Sequence, residues 1–357
     1  MNYEGRVTRL QREIDSLDAQ GLLVTNLTNV RYLTGFSGTN GQVLVTTDDA
    51  RFMTDGRYRA RAGELVKSAE ISIYLNRLTD VLQPMLEDSG ITRLAVEGKT
   101  MTLAERDDLA LRLGKVDLVT AKGPIEDQRR IKEPAEVESL RAAIALGDAA
   151  YAHILDRLRP GVSERVIALE LEVYMRTNGA DAVSFEPIVG SGPLSAHIHH
   201  TPSERRFEKG DFVLLDLGAR VDGYCGDLTR TVVLGSPSED QQRQYEAVLK
   251  ANADALAAMK PDAECRAVDA IARSSVKEAG FDDFGHGLGH GLGLEVHESP
   301  RFNRISEDIL EPGMVMTNEP GLYLENTGGV RIEDCVLITE TEAEVLTQAP
   351  KDTLTVV

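Results

Sequence analysis

The sequence predicts two domains: a smaller α/β domain over residues 1–125, and an α+β domain over residues 126–357 that is built from two related halves. Three observations support this fold class. The chain of 357 residues exceeds the usual size of a single hydrophobic core. Short apolar runs alternate with helical patterns before residue 125, which is typical of an α/β layer. After residue 126 the pattern repeats itself, which predicts two halves around a pseudo-twofold axis.

The first domain is predicted from strands separated by helical segments. Gly21–Thr25, Gly41–Thr46 and Arg93–Glu97 are short apolar runs that favour strands. Within Met1–Leu17 the apolar residues recur at helical spacing among charged ones, which predicts an amphipathic surface helix and not a signal peptide. Ala121–Pro134 interrupts the alternation with glycine, two prolines and mixed charge, and we place the domain boundary there.

The second domain shows an internal repeat in the spacing of its helix breakers. One helical run ends at Pro160 and the next at Gly179; another ends at Pro261 and its partner at Gly280, so both intervals are nineteen residues. After each helix pair, strand-like sequence carries a glycine, then five residues, then a carboxylate, and a second carboxylate follows on the returning strand. These residues are Gly210, Asp216 and Asp227 in the first half, and Gly313, Glu319 and Glu333 in the second. Matched halves predict a site where they meet.

Composition and charge restrict the class of function. The net charge of −19 leaves no basic stripe for phosphates, so nucleic acid is not an expected partner. No apolar run reaches the roughly 18 residues that cross a bilayer, so no membrane partner is expected. The three cysteines, Cys225, Cys265 and Cys335, lack paired or metal-type spacing. They indicate reduced thiols in a cytoplasmic protein without a disulfide framework.

Asp216–Thr231 is predicted to form a β-hairpin that carries two aspartates. Its turn lies near Asp222–Gly223, a dipeptide that favours tight hairpin turns. In this register Asp216 and Asp227 point to the same face, with Cβ atoms roughly 5 to 8 Å apart. Two like charges so placed repel each other unless a cation lies between them. Exposed acidic residues are also common on hairpins, so a solvated surface pair is the alternative from these residues alone.

A second hairpin, Glu319–Ile338, repeats this arrangement with glutamates. Its turn is predicted at Asn326–Gly329, with Glu319 and Glu333 on the two strands. Apolar and charged residues alternate over residues 330–333, so Arg331 shares the face of Glu333 and could orient a neighbouring carboxylate. The alternative is an ordinary surface ion pair.

Four histidines lie in two segments flanked by glycine or proline: His199 in one, and His286, His290 and His297 in the other. A single histidine is more often a structural residue than a ligand, but this clustering beside four carboxylates favours a metal site. Four carboxylates and one imidazole suit Mn, Co, Fe or Zn better than a thiolate-preferring metal. Two ions about 3.5 to 4 Å apart would share a water and lower its pKa, which activates it as hydroxide against a peptide carbonyl.

Several motifs together resemble the pita-bread metallopeptidases, and within them the Xaa-Pro dipeptidases (prolidases) and aminopeptidases P. NVRYLTGFSGTNG (29–41) and TDGRY (54–58) are similar to the creatinase-like N-terminal domain of that family, and RRIKEPAEVESLRA (129–142) is similar to its interdomain junction. DLGARVDGYCGDLTRT, GHGLGHGLGLEVHE, NEPGLY and GGVRIED resemble its metal-binding segments in order and spacing. The resemblance implies a pita-bread (creatinase/aminopeptidase) catalytic metallopeptidase domain over residues 126–357.

The resemblance also implies two divalent metal ions, with Mn or Co favoured and Zn or Fe as alternatives. The five ligands would be Asp216, Asp227, His290, Glu319 and Glu333. Asp227 and Glu333 would bridge the two ions. Glu319 would also be a catalytic residue, since it would take a proton from the attacking water and pass it to the leaving nitrogen.

Five further residues match positions around the metal site in that family. His199 and His297 would be catalytic residues that steady the substrate and the developing oxyanion. Tyr224, Arg301 and Arg331 would bind the substrate or support the groups that do. His286 matches a recurrent motif residue that is not a ligand.

The implied reaction is metal-dependent hydrolysis of the bond between an N-terminal residue and a following proline, with small peptides as partners. Pro300–Arg301 follows His297–Glu298 as in some prolidases, where that arginine resembles a clamp for the free carboxylate of a dipeptide. This favours an Xaa-Pro dipeptidase over an aminopeptidase P, although a plain surface arginine is the alternative. Relatives are often dimers or larger assemblies, so a homodimer or higher homo-oligomer is expected.

Other members of the fold match the sequence less well. Methionine aminopeptidases resemble the catalytic half alone, creatinase-type hydrolases lack this ligand set, and non-catalytic binding proteins of the fold lose ligands that are all present here. The sequence departs from the family at His197–Ile198, where Leu-Pro is usual, at Asn318, where an aliphatic residue is common, and in having no tryptophan. These differences bear on specificity.

Overall fold

The computed structural model describes the whole chain, Met1–Val357. The chain divides into two compact units, Met1–Arg129 and Arg130–Val357. None of the helices combines the length and the apolar character needed to cross a bilayer. Helices and strands are mixed in both units, which confirms the predicted fold class.

The N-terminal unit is built on a mixed six-stranded sheet in the order β4-β3-β2-β1-β5-β6. Its strands are β1 (Gly21–Val24), β2 (Gln42–Thr46), β3 (Ala50–Asp55), β4 (Glu70–Tyr74), β5 (Arg93–Glu97) and β6 (Asp117–Ala121). Its helices are α1 (Tyr3–Glu13), α2 (Leu27–Thr34), α3 (Arg59–Leu65), α4 (Thr79–Asp88), α5 (Leu103–Leu113) and α6 (Pro124–Arg130). The predicted strands correspond to β1, β2 and β5, whose apolar side chains are buried in the interior of the sheet.

The remaining elements of this unit show where the sequence pattern was too weak to predict a strand. β4 and β6 are the edges of the sheet and carry half-exposed or exposed positions, so they lack a continuous apolar run. The predicted N-terminal helix is α1 followed by a 3₁₀ turn over Ile14–Leu17, with its apolar stripe buried. The segment predicted as a boundary contains the short helix α6.

The C-terminal unit contains the two predicted helix pairs. They are α7 (Pro134–Leu155) with α8 (Glu164–Thr177), and α9 (Glu239–Ala258) with α10 (Cys265–Glu278). α9 begins with a capping box, in which the Ser238 hydroxyl accepts from the backbone N–H of Gln241 and the Gln241 side chain accepts from that of Ser238. α10 is followed by Gly280, whose φ of +85° suits glycine and ends the helix.

Each helix pair packs on its own sheet, which is antiparallel except for the parallel pair of β20 and β12 in the first half. The first half has the order β20-β12-β9-β8, the second β14-β13-β15-β18-β19, and two small sheets, β11-β10-β7 and β16-β17, extend their hairpins. The strands are β7 (Ala182–Val183), β8 (Ile188–Ser191), β9 (Phe212–Leu217), β10 (Ala219–Val221), β11 (Tyr224–Cys225), β12 (Leu228–Val233), β13 (Gly289–Gly291), β14 (Glu298–Phe302), β15 (Val315–Asn318), β16 (Gly321–Leu324), β17 (Gly328–Arg331), β18 (Asp334–Ile338), β19 (Ala343–Val345) and β20 (Thr355–Val356).

The hydrophobic core of this unit is also divided between the halves. In the first half α7 and α8 pack against β8, β9 and β12, with Leu171 and Leu215 among the fully buried side chains. In the second half α9 and α10 pack against β15 and β18, with Val248 and Met316 in the equivalent layer. Truncating such a side chain to alanine costs about 2–5 kcal/mol. The paired cores hold the hairpins β9–β12 and β15–β18 in fixed positions.

Candidate active site

The first hairpin places its two aspartates diagonally opposite each other, although Asp227 lies one residue before β12 and not on the returning strand as predicted. Asp216, on β9, is the register partner of Thr229 on β12, and Asp227 lies two residues before Thr229. Asp222 and Gly223 have φ values of +50° and +81°, which is the tight turn that the sequence predicts. The same register continues through the pair β10–β11. Both aspartates therefore point to one face, as predicted.

The second hairpin has a different local geometry from the prediction. β15 pairs with β18 and β16 pairs with β17, and the glutamates lie in the interruption between these two ladders. Glu319 and Glu333 face each other there, because Asn318 pairs with Asp334 before the break and Gly321 with Arg331 after it. The prediction that the glutamates lie on strands is therefore wrong by one or two residues at each strand end.

The turn of this hairpin also needs correction. It covers residues 325–327, whereas the prediction placed it over Asn326–Gly329. Gly328 and Gly329 belong to β17, where a Cβ on Gly329 would lie 2.0 Å from the carbonyl oxygen of Ser195. Gly329 is thus required by close backbone packing within a strand, whereas Gly328, with a φ of +99°, also supplies the left-handed conformation at the end of the turn.

His290 enters the site from β13, a short strand made almost entirely of glycine. A Cβ on Gly289 would lie 2.2 Å from the carbonyl oxygen of Thr317, and one on Gly291 would lie 2.5 Å from that of Ser299. The glycines therefore let β13 insert closely between β14 and β15. His290 Nδ1 lies 3.0 Å from the Gly291 carbonyl oxygen. A proton on Nδ1 satisfies that contact and leaves the lone pair of Nε2 for a ligand.

The five predicted ligands converge on one cavity of about 440 Å³. Its lining includes Asp216, Asp227, His290, Glu319 and Glu333. Donor atoms of Asp227, His290 and Glu333 lie within 4.8 Å of one another. His290 Nε2 is 3.7 Å from Asp227 Oδ2 and 3.4 Å from Glu319 Oε1. The cavity volume is within the range of about 300–1,000 Å³ typical of small-ligand sites.

Arg331 connects the first hairpin to the second. Its Nη2 donates to Asp216 Oδ2 at 2.5 Å and its Nε donates to Thr229 Oγ1 at 3.0 Å. Thr229 in turn donates to Glu333 Oε2 at 2.7 Å. The Arg331 side chain is 3 % exposed, so the surface ion pair considered from the sequence does not describe it. It orients two carboxylates of the cavity.

Burial and mutual repulsion raise the pKa values of the four carboxyl groups. Burial is the main cause at each, and for Asp227 the nearby Glu333 and Asp216 add to it. The pKa of Glu333 is raised by burial and then by Glu319, and that of Asp216 by burial against the opposing charge of Arg331. Burial raises the pKa of Glu319 to about 8. Such a cluster is costly to ionise unless a cation compensates it.

The donor set fits divalent metal ions. Asp216 Oδ1 is buried without a hydrogen-bond partner, so one oxygen of a charged carboxylate is left for another ligand. Burial, with the neighbouring His297, lowers the pKa of His290 to about 3, which keeps its imidazole neutral and able to bind a metal. Four carboxylates and one imidazole form an oxygen-rich set that suits Mn, Co, Fe or Zn.

Three further predicted residues, two catalytic histidines and one substrate-binding arginine, lie at the mouth of this cavity. His199, His297 and Arg301 are exposed and line it, and the ring of His297 meets that of His290 edge to face at 4.4 Å. The segment before and after His199 is fixed by the buried carboxylate of Glu164, which accepts hydrogen bonds from Ser191 and Ser203 and contacts His200 Nε2 at 2.8 Å. His199 therefore projects from an anchored segment.

Tyr224 is not brought to the cavity. It is buried, and its hydroxyl donates to Glu136 of α7 at 2.9 Å. Tyr224 thus joins β11 to α7, and its expected role among the substrate-binding residues stays a prediction. His286, which the resemblance did not make a ligand, lines the cavity with Nε2 at 2.8 Å from the Tyr323 hydroxyl.

Sequence reasoning missed three hydroxyl groups that hold the site together. Thr229 links Arg331 to Glu333. Tyr323 accepts from Arg331 Nη1 at 3.0 Å, and Thr317 donates to Glu319 Oε1 at 3.4 Å. Strand alternation could have identified them, because each shares its face with a carboxylate two or four residues away.

Comparison with protein families assigns both parts of the chain. The description "Metallopeptidase family M24" matches residues 138–340, and "Creatinase/Prolidase N-terminal domain" matches residues 6–131. Among curated relatives, the chain is 41% identical over 348 residues to the "Uncharacterized peptidase YqhT" of Bacillus subtilis (strain 168), which covers 97% of this chain and 99% of the relative.

Solved structures match over nearly the whole chain. An Xaa-Pro dipeptidase from Bacillus anthracis superposes with a TM-score of 0.97 at 38% identity and covers 100% of both chains. An X-Pro aminopeptidase from Thermotoga maritima superposes with a TM-score of 0.90 at 32% identity, covering 97% of this chain and 100% of that one.

Proposed function

Because the chain is a peptidase of metallopeptidase family M24 with a creatinase/prolidase N-terminal domain, we propose that it hydrolyses the bond between an N-terminal residue and proline. Dipeptides are the proposed preferred substrates. The observation that carries this proposal is the convergence of four carboxylates and one imidazole in a single cavity. The resemblance to structures of enzymes with Xaa-Pro substrates supports it.

We assign five residues as ligands of two divalent ions, with Mn or Co favoured over Zn or Fe. They are Asp216, Asp227, His290, Glu319 and Glu333. Asp227 and Glu333 are assigned the bridging positions, and the proximity of Asp227, His290 and Glu333 supports a shared centre. Bound ions of this type polarise a peptide carbonyl and lower the pKa of water toward neutrality.

Glu319 is the proposed proton shuttle. In the metal-free protein burial raises the pKa of its carboxyl group to about 8, so this group has a higher proton affinity than an ordinary glutamate, which suits a residue that takes up and passes on a proton. Thr317 Oγ1 donates to Glu319 Oε1 at 3.4 Å and fixes the side chain beside His290. Glu319 would accept a proton from the attacking water and deliver it to the ring nitrogen of the leaving proline.

His199 and His297 are proposed to steady the substrate and the developing oxyanion at the mouth of the cavity. Both are exposed there, so their ring N–H groups can reach a bound peptide. Although His297 is an exposed residue, partial burial of its ring, with the neighbouring charge of Arg301, lowers its pKa, which favours a neutral ring that donates from one nitrogen.

Proline in the second position gives the proposed specificity a physical basis. An Xaa-Pro bond is a tertiary amide without an N–H, and the proline ring fixes its φ angle. A peptidase that grips the N–H of the scissile bond loses that contact, so a dedicated pocket is needed. In a dipeptide the proline also carries a free carboxylate, which Arg301 at the cavity mouth is suited to bind as a bidentate fork.

A direct assay separates the two closest reactions. The protein, loaded with Mn²⁺ or Co²⁺, is incubated in parallel with Ala-Pro and Ala-Pro-Ala. A dipeptidase cleaves Ala-Pro with the higher kcat/KM, whereas an aminopeptidase P prefers Ala-Pro-Ala. The similarity to an X-Pro aminopeptidase makes the second activity the alternative. If neither peptide is hydrolysed and the purified protein contains no stoichiometric metal, the protein is instead a non-catalytic binding protein of this fold.

The cellular setting and assembly are part of the same proposal. A cytoplasmic location is supported by three buried cysteines that form no disulfide. A homodimer or higher homo-oligomer is proposed from the family resemblance, and light scattering on the purified protein measures it. We also propose that catalysis resides in residues 126–357, which contain every assigned ligand, and that residues 1–125 form the creatinase-like domain.

A further inference from the structure

Asn252 of α9 connects the two segments that carry Glu319 and Glu333. Its Nδ2 donates to the carbonyl oxygen of Asn318 at 3.0 Å and to that of Ile332 at 3.3 Å. These carbonyls belong to the peptide groups that immediately precede the two glutamates. The two amide protons of one side chain are thus both used, one for each segment.

The same two peptide groups are also held from the opposite side. The backbone N–H of Glu319 donates to the carbonyl oxygen of Leu288 at 2.8 Å, and that of Glu333 donates to the carbonyl oxygen of Thr229 at 3.1 Å. Both ends of each peptide plane therefore have a fixed partner. The Cα positions of the two glutamates, and with them the separation of their carboxylates, are set by this arrangement.

The amide of Asn252 is itself oriented. Lys351 Nζ donates to its Oδ1 at 2.6 Å, and Asn318 Nδ2 donates to its backbone oxygen at 2.9 Å. Lys351 also pairs with Asp334, which is held by Arg230 at 2.8 Å. Since Lys351 can only donate, it requires the oxygen of the Asn252 amide on its side and so directs Nδ2 toward the two carbonyls.

The residues of this cluster are buried, apart from the half-buried Lys351, and none lines the cavity. Asn252 and Asn318 are 0 % exposed, and Asp334 is 1 % exposed. Burying so many polar groups is costly, and the Asn318 side-chain oxygen is even left without a hydrogen-bond partner, so a plain packing role would be filled better by apolar side chains. The cluster therefore holds the peptide groups before Glu319 and Glu333 in a fixed orientation, which apolar packing would not do.

We propose that Asn252 is a positioning residue of the metal site, which fixes the spacing of Glu319 and Glu333, and that Lys351 fixes the orientation of its amide. The inference rests on the proposed function, because it takes both glutamates to be ligands. It concerns the residues that hold the ligands in place and not the chemical step. Arg230 also holds the segment around Glu333, since its Nη1 donates to the backbone oxygen of Glu333 at 2.6 Å.

Gln244 offers a matched control. It lies two turns earlier on α9, is also 0 % exposed, and its Nε2 donates to two backbone carbonyls, those of Leu322 at 3.0 Å and Gly328 at 2.9 Å. It therefore makes the same kind of bridge to the same hairpin. Its carbonyl partners do not adjoin either glutamate.

The test compares Asn252→Ala, Lys351→Met and Gln244→Ala with the natural protein. The metal-free full-length proteins are titrated with Mn²⁺ against a competing chelator, and their melting temperatures are recorded. We expect Asn252→Ala to weaken Mn²⁺ binding by about 10- to 100-fold, the effect common for groups that orient ligands. Gln244→Ala should lower the melting temperature similarly and leave Mn²⁺ affinity close to that of the natural protein. Lys351→Met should weaken Mn²⁺ binding in the same direction as Asn252→Ala.

Two outcomes would overturn the proposal. One is equal Mn²⁺ affinity in Asn252→Ala and Gln244→Ala at matched loss of stability, which would make Asn252 a structural residue only. The other, which decides the matter if Asn252→Ala does not fold, is unchanged Mn²⁺ affinity in Lys351→Met. Both presuppose that the natural protein binds Mn²⁺ and cleaves Ala-Pro. A natural protein that does neither refutes the proposed function itself, so the two failures are distinguishable.

Discussion

Arg331 donates from Nη2 to Oδ2 of Asp216 at 2.5 Å, while Oδ1 of the same carboxylate is buried without a hydrogen-bond partner. One oxygen is therefore held by the protein, and the other is available to a cation. The contact also joins the halves of the C-terminal unit, because Asp216 lies on β9 and Arg331 on β17. A residue of the second half thus orients a proposed metal ligand of the first half.

Arg331→Lys should lower kcat by about 10- to 100-fold and weaken Mn²⁺ binding. A lysine ammonium cannot reach Asp216, Thr229 and Tyr323 together, as the planar guanidinium does. Steady-state kinetics on Ala-Pro and Mn²⁺ titration measure the effect. Arg304→Lys, at an exposed arginine that does not line the cavity, is the control. Full activity in Arg331→Lys would contradict the orienting role.

Asp227→Ala should abolish hydrolysis without unfolding the protein. Burial, and then the charges of three other carboxylates, raise the pKa of Asp227, so its removal relieves the cost of burying this group and the repulsion around it in the metal-free state. The variant should therefore melt at or above the temperature of the metal-free natural protein, yet retain less metal. Calorimetry, metal analysis and the Ala-Pro assay measure the three properties. Retained activity in the metal-loaded variant would refute the bridging role.

The metal-free protein should lose stability as the pH rises between 6.5 and 8. Burial raises the pKa of Glu319 from 4.5 to about 8, so in this range the folded state still holds a proton that the unfolded chain has already released. His290 has the opposite effect, since its pKa falls from 6.5 to about 3, but that stability is lost only below 6.5. Above 6.5 the carboxyl effect acts alone.

Melting temperatures of the metal-free protein at the two ends of this pH range test the prediction. Saturating Mn²⁺ should reverse the slope, because metal binding requires deprotonated ligands. Glu319→Gln removes one of the carboxyl groups with a raised pKa and should make the slope in the metal-free protein less steep. A metal-free protein that gains stability over this range would show that the carboxyl pKa is not raised.

Arg301→Ala should weaken hydrolysis of Ala-Pro far more than that of Ala-Pro-Ala. Arg301 lines the cavity, is exposed, and lies opposite His290 in the β13–β14 pair. A dipeptide places its free carboxylate next to the proline, whereas a tripeptide places it one residue further away. The ratio of kcat/KM for the two peptides is the measurement, and Arg304→Ala is again the control. Equal losses on both peptides would exclude a carboxylate clamp.

Much of the fold could be predicted because its signals are local. The Asp222–Gly223 turn requires positive φ at both residues, and this fixed the register that places Asp216 and Asp227 on one face. Helix ends at Gly179 and Gly280 follow from the same conformational freedom. The edge strands β4 and β6 could not be predicted, because half-exposed strands lack a continuous apolar pattern.

The details of the second hairpin depended on tertiary packing. The break around Glu319 and Glu333, and the glycines of β17 against the Ser195 carbonyl, arise from contacts with residues far away in the sequence. The Asn252 bridge to Asn318 spans 66 residues for the same reason. Alternation identified which side chains share a face, but not which hydroxyl or amide groups would complete the network.

The most direct measurement of the central claim is anomalous diffraction from crystals grown with excess Mn²⁺. The account predicts two anomalous peaks about 3.5 to 4 Å apart within the cavity. The side chains in contact with them should be Asp216, Asp227, His290, Glu319 and Glu333. Crystals in which these five side chains hold no ion, or in which the ions bind elsewhere, would contradict it.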